Sequence, residues 1–332
     1  MFGRFSLVTR GDALPDFRLS KGIPCEPALS GEKDLLLAEH KRLLSGFDDA
    51  VRRSDSGQVF AEAPRSLLDL KVEIAHRVFG SCSLCEAYCG IDRETEKGVC
   101  GVGAARIAKV HKSMEEESFL SPSASVLFSG CNFRCAFCNA WDISQFPGHG
   151  ERMDAKELAK RIKGLHGIRS LFLSGGEPVP DIPFILELLL HLERDLPVVL
   201  NSNFYASPVA MDLLSGVIDI YAADFKFGND ACAQKLARVV GYLEPVTKNI
   251  LSIPEERLLV RHLALPGHFE CCTKKVLDWV AKNKPGAGVN LMGDYAPSYK
   301  SLLHLEIANK LPLPDFKKAQ DYARGLGLKL VS

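Results

Sequence analysis

The feature that most constrains this chain is a regular alternation of short apolar segments and amphipathic segments from residue 124 onward. Six apolar segments have the length of strands: SVLFSG, SLFLSGG, PVVLNSN, IYAADFK, LLVRHLALPG and VNLMGDY. Segments with helical spacing of apolar residues lie between them, such as DAKELAKRIKGLHG and CTKKVLDWVAKN. Strands that alternate with helices predict β/α units and a parallel sheet. Six units fit an α/β fold, either an open (β/α)6 barrel or a doubly wound sheet.

Polar or glycine-rich residues lie near the end of each predicted strand. They are three cysteines for the first strand; Gly175, Gly176 and Glu177 for the second; Asn201, Ser202 and Asn203 for the third; Asp224 and Lys226 for the fourth; Arg261, Pro266, Gly267 and His268 for the fifth; and Asp294 and Tyr295 for the sixth. In parallel α/β folds the chemistry lies at the carboxyl ends of the strands. We therefore expect one shared site there.

The composition narrows the class of protein. The 332 residues suffice for one large α/β domain with an extension, or for two ordinary domains. The formal net charge is zero, so no basic excess indicates a nucleic acid as partner. The longest apolar run, IPFILELLLHL, is too short to span a bilayer, and the N-terminus lacks the apolar region of a signal peptide. We expect a cytoplasmic protein without a membrane partner.

Three regions follow from these patterns. Residues 1–80 are predicted to form a mixed extension, helical in KDLLLAEHKRLLSGFDDAVRR and SLLDLKVEIAHRVF and loop-like elsewhere. Residues 81–112 are predicted to form a four-cysteine metal-binding segment, and residues 113–332 the barrel.

Eleven cysteines are many for this length, and seven of them fall in two groups. In a reducing compartment, clustered cysteines indicate metal binding rather than disulfides. The four scattered residues Cys25, Cys232, Cys271 and Cys272 receive no role, because burial is a common fate of free thiols.

The second group follows the first predicted strand directly. Cys131, Cys135 and Cys138 have the spacing C-x3-C-x2-C. Thiolates hold iron–sulfur clusters, normally one per iron, so three of them leave one iron of a four-iron cluster without a protein ligand. The alternative is that positions i, i+4 and i+7 form one core-facing side of a helix. Gly130 and Asn132 favour the cluster, because they interrupt a helical pattern.

The spacing C-x3-C-x-aromatic-C resembles the signature of the radical SAM superfamily. That resemblance implies a [4Fe–4S] cluster on the three cysteines and S-adenosylmethionine (SAM) on the open iron. It also implies reductive cleavage of SAM to a 5′-deoxyadenosyl radical, which is chemistry of the cofactor rather than of the protein. Phe137 occupies the aromatic position, which in that family lies beside the adenine.

The segment LFLSGGEPVP supports the same family. Gly175, Gly176 and Glu177 match a motif that in radical SAM enzymes meets the methionyl amino group of SAM. Glycines at a strand end let a backbone approach a ligand closely. The alternative is a tight turn before a helix that starts at Pro180 or Pro183.

Several motifs in order resemble a narrower, PflX-like branch related to pyruvate formate-lyase activating enzymes. They are WDIS, SGGEPVPDIPFILE, DIYAADFKFGND, RHLALPGH and VNLMGDYAPSY, within residues 80–328. This resemblance implies a partial TIM-type barrel, a polypeptide substrate such as a glycyl-radical enzyme, and reduced flavodoxin or ferredoxin as electron donor. A small-molecule substrate and a non-catalytic iron–sulfur carrier are the alternatives.

The same branch suggests roles for residues at later strand ends. Its members hold a monovalent cation beside the carboxylate of SAM, at positions that Ser202 and Asp224 match. Asn201 stands where they have an aspartate, and an amide binds a cation less well than a carboxylate. Arg261 matches an arginine near the cofactor, with a salt bridge at the surface or at the barrel rim as the alternative. Lys226 either contacts substrate or pairs with Asp224.

The first cysteine group, CSLCEAYCGIDRETEKGVC, has the spacing C-x2-C-x3-C-x10-C in Cys82, Cys85, Cys89 and Cys100. Four thiolates fit a closed site that holds zinc or an auxiliary iron–sulfur cluster, and free thiols are the alternative. Tyr295 is a candidate neighbour of the substrate, or a ring that only packs. His268 is a candidate hydrogen-bond donor to the cofactor, or a structural residue.

Overall fold

A computed structural model describes residues 2–26, 29–58 and 60–331. Within these residues, eight strands form one sheet in chain order. The strands are β1 (Ile107–Ser113), β2 (Ser123–Phe128), β3 (Ser170–Gly175), β4 (Val198–Ser202), β5 (Ile220–Asp224), β6 (Leu258–Leu263), β7 (Gly288–Met292) and β8 (Lys329–Leu330). Strands β2 to β8 are parallel, and β1 pairs antiparallel with β2.

The six predicted strands correspond to β2 through β7, so the α/β prediction is confirmed. A doubly wound sheet would reverse its strand order at a switch point, whereas this order runs through the sheet without reversal. The two edge strands were not predicted from the sequence. Strand β1 lies partly inside the predicted four-cysteine segment, and β8 has only two residues.

The described residues also form α-helices, which connect the strands and make up much of the N-terminal extension. They are α1 (Gly3–Arg10), α2 (Asp16–Gly22), α3 (Lys33–Ser45), α4 (Phe47–Asp55), α5 (Leu67–Phe79), α6 (Trp141–Ser144), α7 (Ala155–Lys163), α8 (Ile182–His191), α9 (Pro208–Leu214), α10 (Asp230–Ala237), α11 (Leu243–Ser252), α12 (Lys274–Asn283) and α13 (Leu313–Gly325). None of the helices described has the length and apolar character needed to cross a bilayer.

Side chains at the helix starts explain several of these boundaries. Asp154, Ser207 and Asn229 each accept a hydrogen bond from a backbone N–H in the first turn, at α7, α9 and α10 respectively. Such caps satisfy donors that a helix end leaves free. Helix α8 is apolar on nearly all sides because it lies against the sheet and is also covered by α5 and α7.

The sheet curls into a partial barrel. Glu117 precedes β2, yet its carboxylate accepts hydrogen bonds from Arg261 on β6 and Asn290 on β7. A flat sheet would hold these strands far apart. Strands β1 and β8 remain the two edges, so the barrel is open.

The loop-like prediction for much of residues 1–60 is wrong. Helices α1 and α2 occupy part of it, and Gly46 separates α3 from α4 in a segment that reads as one helical pattern. Phe2 and Phe5 pack with Phe172 and Leu259 at the amino-terminal end of the barrel. Helix α1 therefore closes that end with apolar side chains, a contact that local patterns do not reveal. The region boundaries at residues 80 and 112 stay predictions.

Candidate active site

The cysteine loop, residues 129–140, leaves β2 at the carboxyl end of the barrel. Cys131 and Cys135 are buried and Cys138 is half-buried. The loop is not helical, so the alternative of a core-facing helix is excluded. The backbone N–H groups of Arg134 and Ala136 donate to the carbonyl oxygens of Ala237 (2.9 Å) and Leu236 (2.7 Å) at the end of α10. This pairing fixes the loop against a helix.

The three sulfur atoms of the cysteine loop do not all lie within 4.8 Å of one another. In the described part of the chain, the group of donor atoms that all lie within 4.8 Å of one another does not include Cys131, Cys135 or Cys138. A single tetrahedral zinc ion would need sulfur atoms about 3.8 Å apart, since each Zn–S bond is about 2.3 Å. Three thiols at a wider spacing fit a multi-iron cluster better than one ion.

The two glycines at the end of β3 face the backbone at the end of β2 and at the start of the cysteine loop. Gly175 has φ +112°, and a Cβ there would lie 2.5 Å from the Phe128 backbone. A Cβ on Gly176 would overlap the carbonyl oxygen of Gly130. The N–H of Glu177 donates to that same oxygen at 2.9 Å. The glycines are therefore required for β3 to approach the chain that leads into the cysteines, a reason that does not involve a ligand.

Glu177 is a buried carboxylate held by three donors. Oε1 accepts from the Ser202 hydroxyl (2.7 Å) and the Val179 N–H (3.2 Å), and Oε2 accepts from the Asn203 N–H (2.8 Å). Burial raises the pKa of Glu177 to about 7, against the effect of these hydrogen bonds. A carboxylate offers about four acceptor positions. Glu177 thus retains capacity for one further donor, such as an amino group.

Asn203 connects β4 to the cysteine loop, although from the sequence it has no role beyond its place at a strand end. Its Nδ2 donates to Oδ1 of Asn132 at 2.7 Å, and its Oδ1 accepts from the Tyr205 N–H at 3.0 Å. Asn132 lies between the first two cysteines of the loop. In the sequence, the contact is indicated only by an asparagine in each of the two segments. No local sequence pattern links two positions that are 71 residues apart.

Asp224 and Lys226 form an ion pair at the end of β5. Lys226 Nζ lies 2.6 Å from Asp224 Oδ2. Burial alone would lower the pKa of Lys226, but the charge and hydrogen bond of Asp224, together with the charge of Cys135, outweigh it and raise the pKa. The second alternative for Lys226, pairing with Asp224, is the one the structure contains.

Arg261 lies inside the barrel rather than at its surface. Its guanidinium binds the buried carboxylate of Glu117 and the Oδ1 of Asn201, and it stacks 5.1 Å from the Phe172 ring centroid. Although burial acts to raise the pKa of Glu117, Arg261 and Asn290 hold it below its usual value. Asn201 therefore enters the site as an acceptor for Arg261.

Two aromatic candidates have different surroundings. The buried Phe137 ring packs edge-to-face on Phe227, with centroids 6.0 Å apart, beside the end of β5. Tyr295 is buried and donates its hydroxyl to the Ile307 carbonyl at 2.6 Å. This contact favours the packing role for Tyr295.

The four-cysteine segment covers one side of the cysteine loop. The Cys131 N–H donates to the Cys100 carbonyl at 3.1 Å, and Cys85 forms a bridge with Ala206 beyond β4. Cys82, Cys85 and Cys100 are buried and Cys89 is half-buried. These four sulfur atoms also fall outside the compact group of donor atoms found among the described residues. The two cysteine groups are thus neighbours in space.

His268 lies in a third group, with Cys232, Cys271 and Cys272. The interpretation of these three cysteines as scattered thiols without a role therefore missed a cluster of potential metal ligands. The signal was the short pattern His268-x2-Cys271-Cys272, but Cys232 lies 36 residues earlier and no spacing rule links it to the pattern.

Comparison with known proteins finds one matching family model and several proteins of similar sequence. The model of the radical SAM superfamily matches residues 125–280. An uncharacterised protein of Methanocaldococcus jannaschii is 37% identical over 336 residues, which cover 99% of this chain and 98% of that protein. A 7-carboxy-7-deazaguanine synthase of Halobacterium salinarum is 30% identical over 118 residues, covering 34% of this chain and 45% of that enzyme.

Solved structures of SuiB from Streptococcus suis are also similar. The complex with precursor peptide SuiA is 16% identical with a TM-score of 0.44, covering 60% of this chain and 46% of that chain. The complex with S-adenosylmethionine is 17% identical with a TM-score of 0.44, covering 60% and 47%.

The superfamily match begins within β2 and ends within α12, so it contains both the cysteine loop and the β3 glycines. A domain of this superfamily implies an enzyme that uses a [4Fe–4S] cluster and SAM. Residues 125–280 therefore form a radical SAM superfamily domain, within a chain that has a relative similar along nearly its whole length.

Proposed function

We propose that this protein binds SAM at a [4Fe–4S] cluster held by Cys131, Cys135 and Cys138 and cleaves it reductively. One observation carries the proposal: three spread thiols lie on a loop that is hydrogen-bonded to Glu177, a buried carboxylate with capacity for one more donor. When bound, the cluster supplies the electron that converts SAM to methionine and a 5′-deoxyadenosyl radical. The protein's own part is to bind and orient SAM and to exclude water.

Glu177 is the proposed acceptor for the amino group of SAM. Ser202 and Asn203 hold its two oxygens in fixed positions, so little reorganisation is needed when SAM arrives. Gly175 and Gly176 bring this carboxylate to the cysteine loop because they allow the backbones to touch. Phe137 is the proposed neighbour of the adenine.

Lys226 is proposed to take the place of the monovalent cation that the activating-enzyme branch implies. Its ammonium already lies against Asp224, and Asn201 and Ser202 already have partners in Arg261 and Glu177. A fixed positive charge at the end of β5 attracts the carboxylate of SAM without a bound ion. Asp224 orients that charge, and Arg261 with Asn201 forms the floor of the binding region.

The proposed substrate is a polypeptide, as in the glycyl-radical activating enzymes that the sequence motifs resemble. Three leucines after β7, Leu302, Leu303 and Leu305, are 70%, 75% and 89% exposed. Their segment is hydrogen-bonded to the cysteine loop through the Lys300 N–H and the Ala136 carbonyl (2.8 Å). Exposed apolar residues beside a site favour an extended partner over a small polar molecule. Reduced flavodoxin or ferredoxin is the proposed electron donor.

A small-molecule substrate is the second candidate. The partial similarity to 7-carboxy-7-deazaguanine synthase favours it, over about a third of this chain. A polypeptide and a small-molecule substrate can be distinguished by testing which fraction of a cell extract stimulates 5′-deoxyadenosine formation. Stimulation by the macromolecular fraction supports a polypeptide, whereas stimulation by the small-molecule filtrate alone contradicts it.

We assign an auxiliary iron–sulfur cluster, rather than zinc, to Cys82, Cys85, Cys89 and Cys100. The support is the separation of their sulfur atoms, which in the described chain do not gather as closely as a single ion requires. Two four-iron clusters predict about eight irons per chain, against about four if zinc fills this site. The buried Arg93 donates to Cys82 Sγ at 3.6 Å and would offset part of the negative charge.

The decisive experiment is anaerobic reconstitution, reduction with dithionite and addition of SAM, with 5′-deoxyadenosine and methionine as the products measured. We expect both products from the wild type and none from Cys135→Ala. Cys25→Ala is the matched control, because Cys25 is also a buried free thiol but lies in the N-terminal extension. An intact cluster that gives no product, with an EPR signal unchanged by SAM, would contradict the proposal and favour an iron–sulfur carrier.

A further inference from the structure

Four potential metal ligands converge at the ends of β5 and β6. The donor atoms of Cys232, His268, Cys271 and Cys272 all lie within 4.8 Å of one another. His268 Nδ1 lies 3.7 Å from Cys232 Sγ, 3.3 Å from Cys271 Sγ and 3.8 Å from Cys272 Sγ. The sulfur atoms of Cys232 and Cys271 are 3.8 Å apart. None of these four residues has a role in the proposed SAM chemistry.

These distances match one tetrahedral ion. With Zn–S bonds of about 2.3 Å and Zn–N bonds of about 2.0 Å, tetrahedral angles place sulfurs about 3.8 Å apart and sulfur about 3.6 Å from nitrogen. A disulfide would need sulfur atoms about 2.05 Å apart, so the Cys232–Cys271 separation belongs to free thiols. The spacing is too tight for a multi-iron cluster.

The backbone around the four ligands is built for their convergence. Cys271 and Cys272 lie in a π-helical turn, Phe269–Thr273, directly after His268, and such turns are frequent at functional sites. A Cβ on Gly228 would lie 2.7 Å from the Cys272 carbonyl oxygen and 2.9 Å from that of Cys271. Only a glycine lets the segment after β5 approach this turn.

Asn229 supports the ligands from outside. It caps α10 by accepting from the Cys232 N–H at 2.8 Å, and its Nδ2 donates to Cys232 Sγ at 3.2 Å and to the Cys271 carbonyl at 2.7 Å. Hydrogen bonds to ligand atoms are the usual means by which a protein orients metal ligands. The cap therefore joins both segments that carry cysteines.

We propose that Cys232, His268, Cys271 and Cys272 bind one Zn²⁺ in a closed tetrahedral site. Three thiolates and one imidazole are a ligand set that zinc accepts in structural sites. Four protein ligands leave no open position, so this ion holds the fold together and takes no part in catalysis.

The site would stiffen the support of the cysteine loop. Cys232 lies near the start of α10, and the last carbonyls of the same helix, Leu236 and Ala237, accept hydrogen bonds from Ala136 and Arg134 in that loop. Zinc at one end of α10 ties the helix to the turn after β6. The other end then presents fixed acceptors to the residues between Cys131 and Cys138.

Metal content tests the proposal in full-length protein purified without chelator. We expect one zinc per chain in the wild type, loss of that zinc in Cys271→Ser, and retention in Cys25→Ser and Cys89→Ser. The Cys89→Ser variant separates this site from the four-cysteine segment. Zinc retained in Cys271→Ser, or lost in Cys89→Ser alone, would overturn the proposal.

A second variant covers the case in which Cys271→Ser does not fold. His268→Cys replaces the imidazole by a fourth thiolate, and we expect it to keep zinc. X-ray absorption at the zinc edge should report three sulfurs and one nitrogen in the wild type and four sulfurs in His268→Cys. An unchanged zinc coordination, or zinc-free wild type with a Cys232–Cys271 disulfide by mass spectrometry, would overturn the proposal. Zinc content does not depend on SAM cleavage, so failure of this proposal is distinguishable from failure of the proposed function.

Discussion

The cysteine loop and the compact group around His268 lie at the same end of the barrel, yet they differ in ligand number and spacing. Cys131, Cys135 and Cys138 are three, and their sulfur atoms stay outside the compact arrangement. The other group has four ligands within 4.8 Å. Three spread ligands leave a metal centre open to a small molecule, whereas four close ligands complete a coordination sphere. Under the two proposals, the first group holds a metal centre that reacts and the second holds a metal ion that only supports the fold.

The two groups also differ in what holds them in place. The cysteine loop depends on backbone contacts with other segments: Gly130 with Glu177, Cys131 with Cys100, and Ala136 with α10. The compact group depends mainly on Asn229 and on the π-helical turn that follows β6. An open site cannot be fixed by a full set of metal bonds, so the surrounding backbone must fix it.

The largest expected difference is the response to oxygen. Brief exposure of the reconstituted protein to air should abolish SAM cleavage and remove the part of the iron–sulfur absorbance that the open cluster contributes, because its iron without a protein ligand is accessible. Zinc has no redox chemistry and no open position in a four-ligand site, so its content should not change. Metal analysis and absorbance before and after exposure measure both. Absorbance and SAM cleavage that are both unchanged after exposure, or zinc released together with iron, would remove the distinction between the two groups.

Gly176→Ala tests the backbone contact on which the open site depends. The added Cβ would overlap the Gly130 carbonyl oxygen, so β3 and the cysteine loop must separate. We expect a loss of about 3 kcal/mol in the free energy of unfolding, typical of forced overpacking, and a lower iron content with zinc unchanged. Denaturant unfolding and metal analysis measure these effects.

Gly148→Ala is the matched control, since a Cβ at Gly148 meets no atom within 4 Å. If Gly176→Ala retains wild-type iron and stability, the close approach of β3 is not what positions the cysteine loop.

Much of the fold was predictable because its signals are local. The apolar periodicity of β2 to β7 and the spacing of Cys131, Cys135 and Cys138 each lie within a few consecutive residues. The glycine motif was also recognisable, although its contact with Gly130 was not. Strand identity and a clustered ligand set therefore follow from sequence, whereas the physical reason for each residue depends on its neighbours in space.

The parts that were missed depend on contacts between distant segments. Asn203 reaches Asn132 across 71 residues, and Arg261 reaches Glu117 across 144. Cys232 joins His268 only because β5 and β6 are adjacent in the sheet. The helical character of residues 3–10 was missed as well, since Phe5 and the preceding Phe2 act by closing the barrel rather than by forming a regular stripe.

Two asparagines offer a matched pair of variants. Asn203 supports the open site through Asn132, and Asn229 supports the compact group through Cys232 and Cys271. Loss of such hydrogen bonds costs about 1–3 kcal/mol at buried positions. We expect Asn203→Ala to raise the KM for SAM with zinc unchanged, and Asn229→Ala to weaken zinc binding about tenfold or more, as outer hydrogen bonds to metal ligands usually do.

Steady-state assays and zinc competition with a chromophoric chelator measure the two effects. The comparison gains support if Asn203→Ala changes only the KM for SAM and Asn229→Ala changes only zinc binding. If Asn229→Ala instead raises the KM for SAM as strongly as Asn203→Ala, the compact group and the SAM site act as one unit and the separation proposed here is wrong.

The smallest expected effect concerns the charge beside the open site. If Lys226 replaces a monovalent cation, SAM cleavage by the wild type should be the same in sodium, potassium and a bulky organic cation. Lys226→Met should weaken SAM binding about tenfold, roughly 1.4 kcal/mol, because the carboxylate of SAM loses its counter-charge and Asp224 loses its partner. Added potassium should then restore part of the affinity by binding at Asp224, while zinc content stays constant.

Lys235→Met is the control, since Lys235 forms an exposed ion pair with Glu306. A wild type that requires potassium would contradict the role of Lys226, because an ammonium already in place leaves a cation no site to fill.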